Sequence, residues 1–121
     1  MSSKKTLVIG ASENPFRYAH TAINRLSNKG HEVIAIGKLK GRVNSTEIVT
    51  EMIAHRDVDT ITLYINPDIQ KKYYEYIIDL KPKRIIFNPG TENPELRQLA
   101  LDNGIEPIEA CTLVMLSTGL Y

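Results

Sequence analysis

Cysteine occurs once in the 121 residues, at Cys111, so no intrachain disulfide can form, and this fits a reducing compartment. Charge of one sign is also lacking. The formal net charge is +1, which removes any broad electrostatic case for nucleic acid or a membrane surface as partner. No apolar run approaches the length of a membrane span, and Met1-Ser-Ser-Lys-Lys5 leads into the first apolar stretch without a signal-type region. A cytoplasmic protein is therefore expected. There is no linker, internal repeat or low-complexity segment, so residues 1–121 read as a single domain, long enough to bury a core. The histidines and the cysteine show no metal-ligand spacing, and no metal site is expected. Ser12 does not stand in a G-x-S-x-G elbow, which argues against hydrolase chemistry. His20, His31 and His55 fall in no catalytic motif and read as structural or surface residues.

What is present is a regular alternation of short apolar runs and amphipathic stretches. Thr6 to Ile9, apolar and β-branched, reads as a buried parallel strand ended by Gly10. Asn14-Pro15 is a helix-start signal, and Phe16, Ala19, Ile23 and Leu26 follow near helical spacing up to Asn28-Lys29-Gly30. His31 to Ile36 predicts a second strand. Gly37 to Asn44 predicts a basic loop, and a helix is expected from Ser45-Thr46-Glu47 with Ile48, Val49, Met52 and Ile53 on its apolar side. Thr60 to Ile65 reads as a third strand. Asn66-Pro67-Asp68 starts a helix with an Ile69, Tyr73, Tyr76, Ile77, Leu80 stripe; Tyr73, Tyr74 and Tyr76 serve packing or a self-association face. Arg84 to Phe87 is a fourth strand, Glu95 to Asn103 a helix closed by Gly104, Glu106 to Glu109 a fifth strand, and Ala110 to Tyr121 an apolar tail with some helical character. The pattern βαβαβαβαβ implies a three-layer α/β fold on a five-stranded parallel sheet, with the order 3-2-1-4-5 expected.

Asn14-Pro15, Asn66-Pro67 and Asn93-Pro94 each lie between a strand and the next helix, at the carboxyl edge where open α/β sheets bind ligands. Backbone N–H groups of Ala11, Ser12 and their neighbours, with a helix dipole behind them, suit an anion. A nicotinamide or flavin site normally carries an acidic residue at the end of the second strand. Here Ile36 is followed by Gly37, Lys38, Leu39, Lys40 and Arg42, cations that suit a phosphorylated adenosine ribose as in NADP or coenzyme A, although lysines on a surface loop also serve solubility. Cys111 reads as a small buried hydrophobe, with a mixed disulfide or acyl relay to a thiol ligand as the sharper alternative.

Across essentially its whole length the chain resembles the CoA-binding domain family, the Rossmann-like module found as small standalone proteins and at the N-terminus of the succinyl-CoA synthetase alpha subunit. The resemblance rests on Val8-Ile-Gly-Ala-Ser-Glu-Asn-Pro15, Lys29-Gly-His-Glu-Val-Ile34, Thr62-Leu-Tyr-Ile-Asn-Pro67, Ile85-Ile-Phe-Asn-Pro-Gly-Thr-Glu-Asn93 and Asn103-Gly-Ile-Glu-Pro-Ile-Glu-Ala-Cys111. It implies coenzyme A or an acyl-CoA as ligand, with Gly10, Ala11, Ser12 and Asn14 lining the pyrophosphate turn and Arg17 adding charge. Gly37 and Lys38 or Lys40 would face the phosphorylated ribose. Tyr64, Asn66 and Pro67 would border the adenine side, and Phe87, Asn88, Pro89 and Gly90 would flank the pantetheine arm. The chain departs from the family at Ile36 to Lys40, where standalone members usually show a Val-Asn-Pro-like sequence, and at Asn88-Pro89, where many carry Gln after an aromatic residue. The synthetase's catalytic phosphohistidine belongs to another domain, so no catalytic residue is expected in this chain. A small NADP-dependent oxidoreductase, and an interaction module that has lost its ligand, are the two rival readings; a homo-oligomer or a protein partner stays open with all three.

Overall fold

The central strand follows from a run with no polar break. Thr6–Ala11 (β1) is buried at every position but Gly10, so it must be covered on both faces and flanked on both edges. The computed structural model describes residues 3–121, so Met1 and Ser2 of the N-terminal segment lie outside the described residues. The further strands are Val33–Gly37 (β2), Gly41–Val43 (β3), Thr46–Val49 (β4), Thr60–Leu63 (β5), Arg84–Phe87 (β6) and Glu106–Glu109 (β7). The helices are Tyr18–Asn28 (α1), Pro67–Gln70 (α2), Tyr74–Leu80 (α3), Pro94–Asp102 (α4) and Thr112–Thr118 (α5), with a single 3-10 turn at Lys71–Tyr73.

The α/β class stands, but the sheet is not the expected five strands in the order 3-2-1-4-5. It has seven strands, ordered β3-β4-β2-β1-β5-β6-β7, parallel throughout except for the β3–β4 pair. The difference arises at Gly41 to Val49, where a helix was expected. Val43, Thr46 and Ile48 are buried while Arg42 and Glu47 are exposed, a period of two rather than 3.6. Asn44, at φ 54°, sits in the short turn that pairs Val43 with Thr46. Met52 and Ile53, which made the helical reading plausible, are 43% and 45% exposed. β4 then takes the place beside β2 (Ala35 with Ile48, Ile36 with Val49), and β5 goes to the other side of β1. Counting parallel strands alone, the order is 3-2-1-4-5-6, and the direction of winding reverses at β1.

α1 and α5 cover one face with Val8, Ala19, Ile23, Leu26, Ala35, Ile48 and Leu116 as core, and the other face buries Leu7, Ile9, Ile61, Leu63, Ile77, Ile85, Phe87 and Leu96. Two of the three Asn-Pro pairs cap helices as expected: Asn66 Oδ1 accepts from Ile69 N at 3.0 Å, and Asn93 Oδ1 from Glu95 N and Leu96 N at 3.1 Å. The first does not. Asn14 Oδ1 accepts from Phe16 N at 3.0 Å in a local turn, α1 starts only at Tyr18, and Phe16, expected on its apolar face, is 93% exposed. Ile69, placed in the buried stripe by spacing, is 42% exposed because it lies on the short α2 before the chain turns into α3. Tyr73 is buried, and Tyr76 donates to Ile53 O at 2.6 Å, so these tyrosines take part in packing.

At the opposite, amino edge of the sheet, Tyr121 stacks under the Arg84 guanidinium (4.5 Å) and beside the His31 ring (5.0 Å). His31 Nδ1 accepts from Lys4 N at 2.9 Å. Burial first, then the charges of Lys4 and Arg84, hold the His31 imidazole below its ordinary value, with Asp59 opposing. His55, whose buried Nε2 has no partner among the described residues, is lowered chiefly by burial too. In the unfolded chain both histidines take up protons near pH 6.5, while the folded protein resists until lower pH, so stability is present above about pH 6.5 and falls as pH drops below it. Melting temperature measured from pH 8 down to about pH 5 is expected to decline below about 6.5, with a shallower slope in His31→Gln; an unchanged slope would place the titration elsewhere.

Candidate functional site

The carboxyl ends of β2, β1, β5 and β6 form one edge, and glycine decides how closely their loops approach. Gly10 has φ 97°, and a Cβ there would stand 2.7 Å from Tyr64 O and 2.9 Å from Ile65 Cγ2. At Gly37 a Cβ would stand 2.5 Å from Ala11 O. The β1–β2 register shifts between Ile9 and Ala11, so the turn after β1 lifts off the sheet at this point. Gly10, Ala11, Ser12 and Asn14 follow one another in this turn, and Gly37, expected on the ribose side, packs against it at Ala11 O.

That turn leaves donors free. Ser12 Oγ accepts from Asn14 N at 3.0 Å, but the N–H groups of Ser12 and Glu13 make no hydrogen bond among the described residues. The N-cap of α1 is Arg17, which makes no side-chain cap bond, and the first turn of the helix holds no acidic residue. The N–H groups of Tyr18 and Ala19 likewise have no partner among the described residues. With the helix dipole they present a local positive potential at the end of β1, and the exposed Arg17 adds its charge. Lys38 and Lys40 stand exposed on the bend between β2 and β3 and form no ion pair among the described residues.

The other expected positions separate. Tyr64, Asn66 and Pro67 follow β5 and so stand across β1 from Lys38 and Lys40, not beside them as the expected strand order required. Burial pushes the Tyr64 phenol up to about 12 against the opposing Thr112 and Thr62 hydroxyls, and its Oη has no hydrogen-bond partner among the described residues. Asn66 and Pro67 start α2, with the Asn66 side chain occupied as its cap. Phe87 is 1% exposed inside the sheet's apolar layer, and Asn88 is 3% exposed. Asn88 Nδ2 donates to Thr62 Oγ1 at 2.7 Å and to Leu63 O at 2.8 Å, and its Oδ1 accepts from Thr112 N at 2.9 Å. These two residues hold the edge from beneath, and Pro89, Gly90 and Glu92 of that loop are exposed.

Three contributors were not legible in the chain. Buried Gln70 donates from Nε2 to Ile65 O (2.9 Å) and Thr91 O (2.8 Å) and accepts from Asn93 Nδ2 (2.9 Å), tying the loops after β5 and β6 together. Thr91 Oγ1 donates to Asn88 O at 2.8 Å. Glu13 Oε2 accepts from Arg42 N at 2.9 Å, joining the turn after β1 to β3. Gln70 and Glu13 need long-range partners that spacing does not reveal, and Thr91 closes a local turn onto Asn88. Cys111 is half-buried at the start of α5. No cluster of three or more histidine, cysteine or acidic residues suited to a metal is present among the described residues, and no helix among them is long and apolar enough to cross a membrane.

Comparison with known proteins gives a consistent result. A search of curated proteins returns no match. Among solved structures, the chain is similar to a crystal structure of an uncharacterized protein with 52% identity over 100% of both chains and a TM-score of 0.97. It also resembles a hypothetical protein from Pyrococcus horikoshii OT3 (22% identity, 98% of this chain and 85% of that one, TM-score 0.87), which supports the fold. A conserved hypothetical protein from Pyrococcus furiosus is similar as well (25% identity, 92% and 97% covered, TM-score 0.80). The family model described as CoA binding domain matches residues 4–117, and with nearly the whole chain inside that match, the protein belongs to the CoA-binding domain family.

Proposed function

We propose that this protein binds coenzyme A or an acyl-CoA along the carboxyl edge of its sheet, with no catalytic step assigned to the chain. The observation that carries this reading is the uncapped start of α1. The N–H groups of Ser12 and Glu13, in the turn after Gly10, and of Tyr18 and Ala19, at the start of α1, have no partner among the described residues, and in this reading a pyrophosphate satisfies them without any side chain. In this reading the phosphorylated ribose lies on the β2 side against Lys38 and Lys40. Because β5 lies on the other side of β1, Tyr64, Asn66 and Pro67 belong with Pro89 and Gly90 on the pantetheine path rather than beside the adenine.

Isothermal titration of ligand-stripped protein with CoA, NADP and NAD in parallel tests the reading. Saturable CoA binding is expected, weakened about tenfold in Lys38→Ala or Lys40→Ala by loss of a charge-assisted contact. Binding of NADP without CoA would move the protein to the oxidoreductase reading. Silence from all three would favour an interaction module built on this fold.

A further inference from the structure

We propose that Glu13 is a positioning residue that sets the ligand preference of this site by holding the Lys38–Lys40 bend in place. This rests on the coenzyme A reading above. A carboxylate beside an anion site is unexpected, because it opposes the potential that the free N–H groups create. Its geometry explains it. β3 is the edge strand of the sheet, so an N–H turned away from β4 has no strand to pair with. Glu13 reaches from the turn after β1 and accepts from one of these, Arg42 N, at 2.9 Å.

Gly41 makes the seat. The Glu13 side chain lies over the position where a Cβ on residue 41 would stand, and Gly41 has no positive φ that would require glycine for backbone reasons. The absent side chain therefore accommodates the carboxylate and nothing else evident in the turn. The consequence is mechanical. The bend carrying Lys38 and Lys40 is anchored at one end by β2, where Gly37 packs on Ala11 O, and at the other by Glu13 on Arg42. Both anchors belong to the turn that would hold the pyrophosphate. The two lysines are thus held at a set distance from that turn, which favours a ligand with a phosphate on the ribose over one that lacks it.

The experiment compares CoA with dephospho-CoA by titration calorimetry in wild type, Glu13→Ala, Glu13→Gln and Gly41→Ala, together with amide hydrogen exchange of residues 38–43 in the ligand-free proteins. Glu13→Ala is expected to weaken CoA about tenfold more than it weakens dephospho-CoA, so that the preference between them narrows, and to speed exchange at Arg42 about tenfold or more. Gly41→Ala, which displaces the carboxyl without touching it chemically, reproduces both effects, and Glu13→Gln, which keeps the acceptor, restores most of the preference. Equal weakening of both ligands, or CoA binding in Glu13→Ala as tight as in wild type, would overturn the inference. Failure of the underlying reading looks different, since wild type would then bind neither CoA nor dephospho-CoA.

Discussion

Gly10→Ala is expected to destabilise the protein by about 3–5 kcal/mol, combining backbone strain at a positive φ with overpacking against a neighbouring strand. The new methyl would sit 2.7 Å from Tyr64 O and 2.8 Å from the carbonyl carbon, and neither backbone atom can move without breaking the β1–β5 ladder, where Tyr64 N also donates to Ile9 O at 2.8 Å. Gly30 separates the two contributions. It too has a positive φ, 85°, but a Cβ there meets nothing within 4 Å. Gly30→Ala is therefore expected to cost only the conformational part, about 1–2 kcal/mol. Urea denaturation of both variants checks this. Equal losses would mean that the close approach of β1 to the end of β5 contributes nothing, and the explanation given for the shape of the turn would fall. Binding of CoA is expected to weaken in Gly10→Ala even where the protein stays folded, because the displaced turn carries the free N–H groups of Ser12 and Glu13.

Asn88→Ala is expected to cost about 2–4 kcal/mol, since one truncation leaves several buried groups unpaired. Thr62 Oγ1 and Leu63 O lose a donor, and Thr112 N, the first N–H of α5, loses its acceptor. Thr62 and Thr112 retain their mutual bond at 2.8 Å, so the damage centres on the backbone groups. The measurable sign is faster amide exchange across Thr112–Thr118 relative to β1, alongside a lower denaturation midpoint. Thr112→Val, which removes one hydroxyl and keeps the N–H bond, is expected to cost about 1 kcal/mol. Should Asn88→Ala leave stability intact and abolish CoA binding, Asn88 would be a ligand contact, as the family resemblance implied, and not the buried tie seen in the structure.

Much of this protein is written in local signals. The parallel strands at Thr6, Thr60 and Arg84 were legible because a strand covered on both faces reads as an unbroken apolar run, whatever lies beside it. Asn66-Pro67 and Asn93-Pro94 were legible as helix starts because capping involves only the next three residues. The expectation that the turn after β1 suits an anion followed from Gly10 and the strand that feeds it. The segment from Gly41 to Ile53 was not legible. Ile48, Val49, Met52 and Ile53 fit a helical stripe in one dimension, yet β2 offers an open edge that Ala35 and Ile36 fill with Ile48 and Val49. Pairing with that edge outweighs a spacing that no helix partner rewards.

The same misreading propagated to the site. Without β4, the strand at Thr60 had to lie beside β2, next to Lys38 and Lys40; with β4 in place Tyr64, Asn66 and Pro67 lie across β1 from those lysines. Asn14 carried the same dipeptide signal as Asn66 and Asn93, but its side chain closes on Phe16 and the helix waits until Tyr18, leaving the N–H groups bare. Sequence alone determined that this is an α/β fold with a glycine turn after its first strand, because those features depend on neighbours in the chain. Tertiary structure decided which strands flank that turn, which polar side chains are buried ties and which carboxylate braces the basic bend, because each depends on partners distant in sequence.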